Sequence, residues 1–476
     1  MSHVLTPDIC VVGGGSGGLS VAAAAAAFGV EVVLAEKGPM GGDCLNTGCV
    51  PSKALIAAAR AARHARDAGG FGISTGEVHV DFAAVNAHVH GVIEAIAPHD
   101  SVERFEGLGV RVLQDAARFV DARTIACAGM LVRARRFVIA TGSRPAVPPI
   151  PGLDRVPYLT NETVFGLTEC PGHLLVIGGG PIGAELAQAH ARLGARVSVV
   201  EAERVLGRED PALVAPVLEA LRADGVDMVE SARVVAVEGR AGNIRLTLEC
   251  DGARREIAGT HLLVAVGRRP SIGGLGLEAA GIAHGPRGIE VGSDLRTSNR
   301  RVYAIGDVAG GAQFTHVAGY HAGLVVRSIL FRLPARENRD ILPRVTFTEP
   351  EIGHVGLTPD EARARFGDKA VRVLEAPFSG NDRARTERAT QGCVRLVVAG
   401  RGRIVGGAVV GPSGGEITNL LSVLVARRMS VREMASVVLP YPSLSEAVRR
   451  AAISYYAEST KNPWLRRVLR LLAWFG

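Results

Sequence analysis

Two glycine-rich loops, 165 positions apart, constrain this chain more than any other feature. The first follows a short apolar run at 8–12 and reads Gly13-Gly14-Gly15-Ser16-Gly17-Gly18; an Ala-rich segment and a second apolar run then end at Glu36. The second follows an apolar run at 174–177 and reads Gly178-Gly179-Gly180-Pro181-Ile182-Gly183. It continues through a helix-like run to Leu193 and a strand that ends at Glu201. Gly13 and Gly178, Gly18 and Gly183, and Glu36 and Glu201 all stand in the same register. Strand, glycine turn, helix, strand and terminal acid, in that order, make a βαβ dinucleotide unit. Gly13, Gly15 and Gly18, like Gly178, Gly180 and Gly183, supply the tight turn, close backbone approach to a pyrophosphate, and helix packing; the acid reaches a ribose hydroxyl. The repeat predicts two separate dinucleotide sites in an α/β chain.

Between the loops lies Gly41-Gly42-Asp43-Cys44-Leu45-Asn46-Thr47-Gly48-Cys49-Val50-Pro51-Ser52-Lys53. Two cysteines separated by four residues are placed to form and break a local disulfide. The Ala-rich run 54–66 predicts a helix with both near its first turns, where the positive helix end favours thiolates. Two structural thiols, or half of a metal site, are the other readings of such a pair. No second Cys or His pair at ligand spacing lies near, so no metal ligands are assigned. Lysine occurs only at 37, 53, 369 and 461, every other basic position being arginine. Lys53 therefore stands out as a compact charge with a movable pKa. A dithiol beside two dinucleotides implies an electron relay, since a nicotinamide delivers hydride and a flavin passes electrons to sulfur.

Composition excludes several alternatives. At 476 residues, 47% apolar with 59 glycines, the chain suits a multi-domain, loop-rich α/β enzyme. The net charge of +7 comes from scattered arginines and aromatics are only 4%, which argues against nucleic acid. Seven cysteines, with no leader-like segment before Asp8, point to a reducing cytoplasm. The alanine run at 22–27 is too short for a membrane span.

Further along, 137–145 is a strand running into Thr141 and Gly142, and 262–270 repeats that layout around Gly267. Another apolar strand ends at Asp307, which can accept hydrogen bonds from cofactor hydroxyls. From 343 to 438 strands at 344–347, 394–398 and 404–410 and a helix at 416–428 carry no phosphate loop, as expected of an interface domain. A polar insertion follows at 439–446. The tail from Pro463 alternates Trp464, Leu465, Val468, Leu469, Leu471, Leu472, Trp474 and Phe475 with Arg466, Arg467 and Arg470. It reads either as an interfacial anchor on the inner membrane face or as a helix docked on its own dimer.

With these motifs assembled, the chain resembles the FAD-dependent pyridine nucleotide-disulfide oxidoreductases over nearly everything before the tail. GGDCLNTGCVPSK is the most specific signature; AIGD at 304–307 and FTEPEIGHVG at 347–356 follow in family order. The resemblance implies an FAD-binding segment at 1–150, an NAD-binding domain at 151–270, a returning FAD segment at 271–342 and an α+β dimerisation domain at 343–455, in a homodimer. The basic amphipathic tail, 456–476, lies beyond the match. Gly13, Gly15, Gly18, Glu36 and Asp307 would hold FAD, with Lys53 near the flavin and paired to Glu185. Gly178, Gly180, Gly183 and Glu201 would hold the nicotinamide, and Lys37, Thr47, Thr141, Gly142 and Gly267 are further cofactor contacts. Glu201 would repel a 2′-phosphate, favouring NADH over NADPH. Cys49 would contact flavin and Cys44 exchange with the acceptor.

The departure is at Tyr441. The dithiol reductases carry His-Pro-Thr-x-x-Glu there, whose His protonates a leaving thiol across the dimer interface; here the run is Tyr441-Pro442-Ser443-Leu444-Ser445-Glu446. A phenol near pKa 10 does not shuttle protons at neutral pH as an imidazole does. The mercuric reductase branch also has Tyr there, but it carries a C-terminal cysteine pair, and no cysteine follows Cys393 here. The expectation is an NADH-dependent flavoenzyme whose acceptor, a metal ion, quinone or disulfide, needs no His acid. Dihydrolipoamide dehydrogenase and a membrane-associated FAD-binding redox sensor are the alternatives.

Overall fold

The computed structural model describes residues 4–457 and 459–475, which cluster into two compact units. The first comprises residues up to Val205 together with 225–337. Its leading strand β1 (Ile9–Val12) is buried at every position, as a central parallel strand covered on both faces must be. Helix α1 (Ser16–Ala27) returns the chain to β2 (Val32–Ala35), which pairs in parallel with β1. Two short helices, α2 (Gly42–Asn46) and α3 (Cys49–Asp67), carry the dithiol. Strands β3 (Val110–Leu113) and β4 (Arg136–Ile139) continue the sheet, and Val302–Ala304 completes it at the far edge beside β4. The glycine loop thus sits at the C-terminal ends of parallel strands.

The second nucleotide-type sheet is built the same way. Strand β5 (His173–Ile177) leads through Gly178 into α4 (Pro181–Arg192) and β6 (Arg196–Val200), with Val226–Val229 and His261–Val264 on the two edges. An antiparallel three-stranded sheet is inserted before His261. The strands at 137–145 and 262–270 exit into segments that meet in the structure: Ser143–Pro145 pairs antiparallel with Arg268–Pro270. Helix α5 (Thr315–Leu330) packs on α1, close enough that a Cβ at Gly17 would press on Ala318.

One local expectation is corrected. Cys44 does not lie in the first turns of the Ala-rich helix but in the separate α2, while α3 starts at Cys49 itself. Gly48, at φ −127° and ψ −111°, breaks the two apart. Pro51 is tolerated because it stands in the first turn of α3, where its missing N–H has no helical partner.

The second unit comprises 206–224 with 338 onwards. Its antiparallel sheet runs in the order Arg344–Thr346, Glu351–Gly356, Arg403–Gly411, Cys393–Ala399, Val371–Pro377. Helix Gly414–Ala426 covers it, with Gly353 giving way to Thr418. The helix Pro211–Ala223 belongs to this unit, tied by Arg344 to Glu209 at 2.8 Å and by Arg395 to Asp210 at 2.7 Å. The tail forms α6 (Pro463–Leu472), whose apolar side chains are mostly exposed. Among the described residues no helix is long and apolar enough to cross a membrane.

Candidate active site

The repeat is also a repeat of hydrogen bonds. Glu36 accepts the amide of Gly14 at 2.5 Å and that of Gly38 at 2.7 Å; Glu201 accepts Gly179 at 2.7 Å and Glu203 at 3.1 Å. Gly13 and Gly178 share positive φ values of 111° and 106°. A Cβ on either would strike a carbonyl across the sheet, Ala140 or Ala265, and one on Gly18 or Gly183 would strike the carbonyl of Gly13 or Gly178. Space lies open over Gly180. These are cradles that a side chain would fill and a pyrophosphate can enter. Lys37 is exposed beside Glu36, and its counterpart in the second loop is Ala202.

Cys44 and Cys49 are free thiols brought within hydrogen-bonding reach of each other. Cys49 is held down to about 6, first by the hydrogen bond from Cys44, then by Thr315 and the Lys53 charge, against burial and Asp43. Cys44 is driven up by that same bond, in which it keeps the proton, and by burial. Thr315, the first residue of α5, places its Oγ1 3.4 Å from Cys49 Sγ. Lys53, one turn along α3 from Cys49, donates to the buried Glu185 of α4 at 2.8 Å. The arrangement stores one proton on Cys44 and a negative charge on Cys49, the form in which a thiolate can be oxidised or can bind a soft metal.

A polar chain absent from the sequence reading joins this dithiol to Asp307. Arg268, nearly buried, reaches Asp43 Oδ2 at 3.1 Å and donates to Ser143 Oγ at 2.7 Å. Ser143 donates to Asp307 at 2.5 Å. Asn161 donates to Asp43 Oδ1 and to the Thr47 carbonyl, both at 3.1 Å, and Thr47 Oγ1 donates to Asp43 at 2.8 Å. Burial raises the Asp307 carboxyl, opposed by Ser143 and Arg268. Thr141 Oγ1 is turned to the Ser271 carbonyl, and Gly142 and Gly267 take positive φ at the paired exits. The one available signal for Arg268 was its place directly after Gly267.

Tyr441 and Glu446 belong to the second unit. The exposed Tyr441 hydroxyl donates to Asp382 at 3.1 Å, and that carboxylate lifts the phenol above its ordinary pKa. Glu446, at the start of helix Glu446–Ser454, accepts the Ser443 amide at 3.4 Å rather than holding Tyr441. Among the described residues no group of three or more His, Cys, Asp or Glu is placed to hold a metal ion.

Paired nucleotide cradles, a polarised dithiol and a half-buried lysine held by a buried carboxylate define a flavin- and nicotinamide-dependent dithiol oxidoreductase. Residues 7–322 match the pyridine nucleotide-disulphide oxidoreductase family and residues 342–452 match its dimerisation domain; the chain belongs to that family. It is 34% identical over 462 residues to a mercuric reductase of Streptomyces lividans, covering 95% of this chain and 97% of that one. It is 34% identical over 456 residues to a dihydrolipoyl dehydrogenase of Geobacillus stearothermophilus, covering 94% and 95%. The Cu(II) complex of the HOCl-induced flavoprotein disulfide reductase RclA from Escherichia coli shares its fold with a TM-score of 0.82 and 27% identity, over 93% of this chain and 98% of that one. Family members bind FAD, use NAD(P)H and carry a dimerisation domain, so this chain is an NAD(P)H-dependent flavoprotein oxidoreductase built to form a homodimer. The residues present fit FAD: the Gly13 to Gly18 cradle, Glu36, and Asp307 fixed through Ser143.

Proposed function

We propose that the enzyme passes two electrons from NADH to the Cys44–Cys49 pair and from there to a soft metal ion. FAD, held by Gly13, Gly15, Gly18, Glu36 and Asp307, supplies the two-electron relay between nicotinamide and sulfur. The disulfide takes two electrons and one proton, giving the Cys44 thiol and the Cys49 thiolate. A divalent metal ion then takes both electrons, the disulfide re-forms, and the proton leaves from Cys44. Lys53, fixed by Glu185, balances the thiolate charge, and Thr315 orients the sulfur. The carrying observation is the contrast between a Cys49 thiol held down by Cys44, Thr315 and Lys53 and a Tyr441 phenol that Asp382 lifts further above its ordinary pKa. An acceptor that needs no proton fits such a site, and relatives named for mercuric reduction and for a Cu(II) complex support it.

Glu201, already on two amides, favours the free 2′-hydroxyl of NADH over a phosphate. Steady-state assays with NADH or NADPH against Hg(II), Cu(II), quinones and lipoamide test the reading. Preferential NADH-dependent turnover of a metal ion supports it; efficient dihydrolipoamide oxidation with inert metal ions replaces it with dihydrolipoamide dehydrogenase.

The exposed face of α6, with Trp464, Leu469 and Leu472 beside three arginines, favours peripheral contact with an anionic bilayer in a cytoplasmic protein. Co-sedimentation with anionic vesicles should be lost in a chain ending at Asn462. Equal sedimentation of the two removes the membrane contact, and loss of dimer on truncation assigns the tail to the subunit interface.

A further inference from the structure

A cavity of about 660 Å³ opens in the first unit, at the edge of the sheet remote from the nucleotide loops. Arg136 is the first residue of β4, and the cofactor-side residues Thr141 and Gly142 lie beyond its other end. Arg135, Arg136, Arg296, Arg332 and Arg336 line the cavity, and Asp294 is the one acidic residue in its lining. Some of this charge is engaged. Arg135 lies 3.0 Å from Asp8; Arg296 lies 3.8 Å from Asp294 and donates to the Tyr303 hydroxyl at 2.9 Å. Arg332 and Arg336 make no hydrogen bond or ion pair among the described residues. Arg332 also takes a left-handed backbone, φ 54°, that bulky residues seldom adopt. Arg136 is lowered from the usual guanidinium range, first by burial and further by Arg135, Arg301 and Arg296, with Tyr303 opposing them.

We infer that this cavity is a second anion site, built for a small molecule carrying two or more phosphate groups. Guanidinium forks match phosphate oxygens bidentately. With Arg135 and Arg296 partly held by Asp8 and Asp294, Arg136, Arg332 and Arg336 still offer more forks than one phosphate can engage, and the volume falls in the small-molecule range of roughly 300–1,000 Å³. Ile329, Leu333 and Pro334 supply an apolar wall for the remainder of the ligand. The site reaches the redox centre through one element. Helix α5 contributes Ser328 and Ile329 to the cavity and, at its other end, Thr315 to Cys49.

The test is calorimetric titration of FAD-loaded enzyme, saturated with NAD⁺ to cover the Gly178 loop, with inorganic tripolyphosphate. One saturable site per subunit is expected, weakened at least tenfold in Arg332→Ser/Arg336→Ser, whose flavin spectrum and melting temperature should match wild type. Arg332→Lys/Arg336→Lys, which keeps the charge and loses the fork, should fall between them. No saturable binding, equal binding of sulfate at matched ionic strength, or undiminished binding by the double Ser variant overturns the inference.

Discussion

The two nucleotide loops are alike in their backbone and unlike in what stands behind it. Glu36 and Glu201 receive amides from matching positions, and the same four glycines guard the same carbonyls. The loops diverge one helical turn later. Ser20 of α1, bonded only to its own helix through Ser16, corresponds in the repeat to Glu185 of α4, which holds Lys53. The first loop is also built into the dithiol segment, with Gly41 donating to the Gly14 carbonyl at 2.9 Å and Gly42 packed on Gly15, whereas Gly180 faces open space. What is repeated is the backbone cradle; what is not repeated is the link to the dithiol segment and its lysine.

The strongest way to break this division is to remove the sulfur. Cys49→Ser should lower metal-ion turnover by on the order of a thousandfold or more while both nucleotides still bind, since residues acting as one unit fail together. Next come the loops themselves. Gly18→Ala should yield protein without FAD, and Gly183→Ala should keep FAD but raise the NADH KM roughly tenfold or more, because each Cβ meets a carbonyl with no room to retreat. Loss of FAD from both variants would mean that the loops are not assigned to separate nucleotides. Glu185→Gln should reduce turnover about tenfold, because Lys53 loses its charged partner. Charged hydrogen bonds contribute about 1.5–3 kcal/mol, discounted here because Lys53 is 38% exposed. Smallest of all, Tyr441→Phe should change stability by less than about 0.5 kcal/mol, as its hydroxyl is on the surface. It should leave metal-ion turnover nearly intact, as stopped-flow assays would show; a collapse would give the phenol a direct role.

The parts legible in the sequence are those whose physics is local. Backbone approach to a phosphate requires glycine at fixed spacing, and a dithiol requires two cysteines in one short stretch, so both motifs announce themselves. The pairing of Lys53 with Glu185 crosses 132 positions and came only from the family resemblance. The chain from Asp43 through Arg268 and Ser143 to Asp307 had no such guide, because it is assembled from four segments that only the fold brings together. Asp382, the partner of Tyr441, lies 59 positions away and was missed for the same reason. An Ala-rich run signals helix but not where Gly48 interrupts it, so the split of the two cysteines between α2 and α3 is invisible in the sequence.

Whether Cys49 carries the charge and Cys44 the proton in the reduced pair is tested most directly by a pH titration of the NADH-reduced enzyme, following the long-wavelength thiolate-to-flavin absorbance. The Cys49 pKa is depressed from an ordinary value near 9, so the thiolate is fully present above that value and is lost as pH falls through about 6. The band should therefore persist at neutral pH, fade with a midpoint near 6, survive Cys44→Ser with a raised midpoint, and vanish in Cys49→Ser. A midpoint near 9 in the wild type, or a band that depends on Cys44 and not on Cys49, would contradict the account.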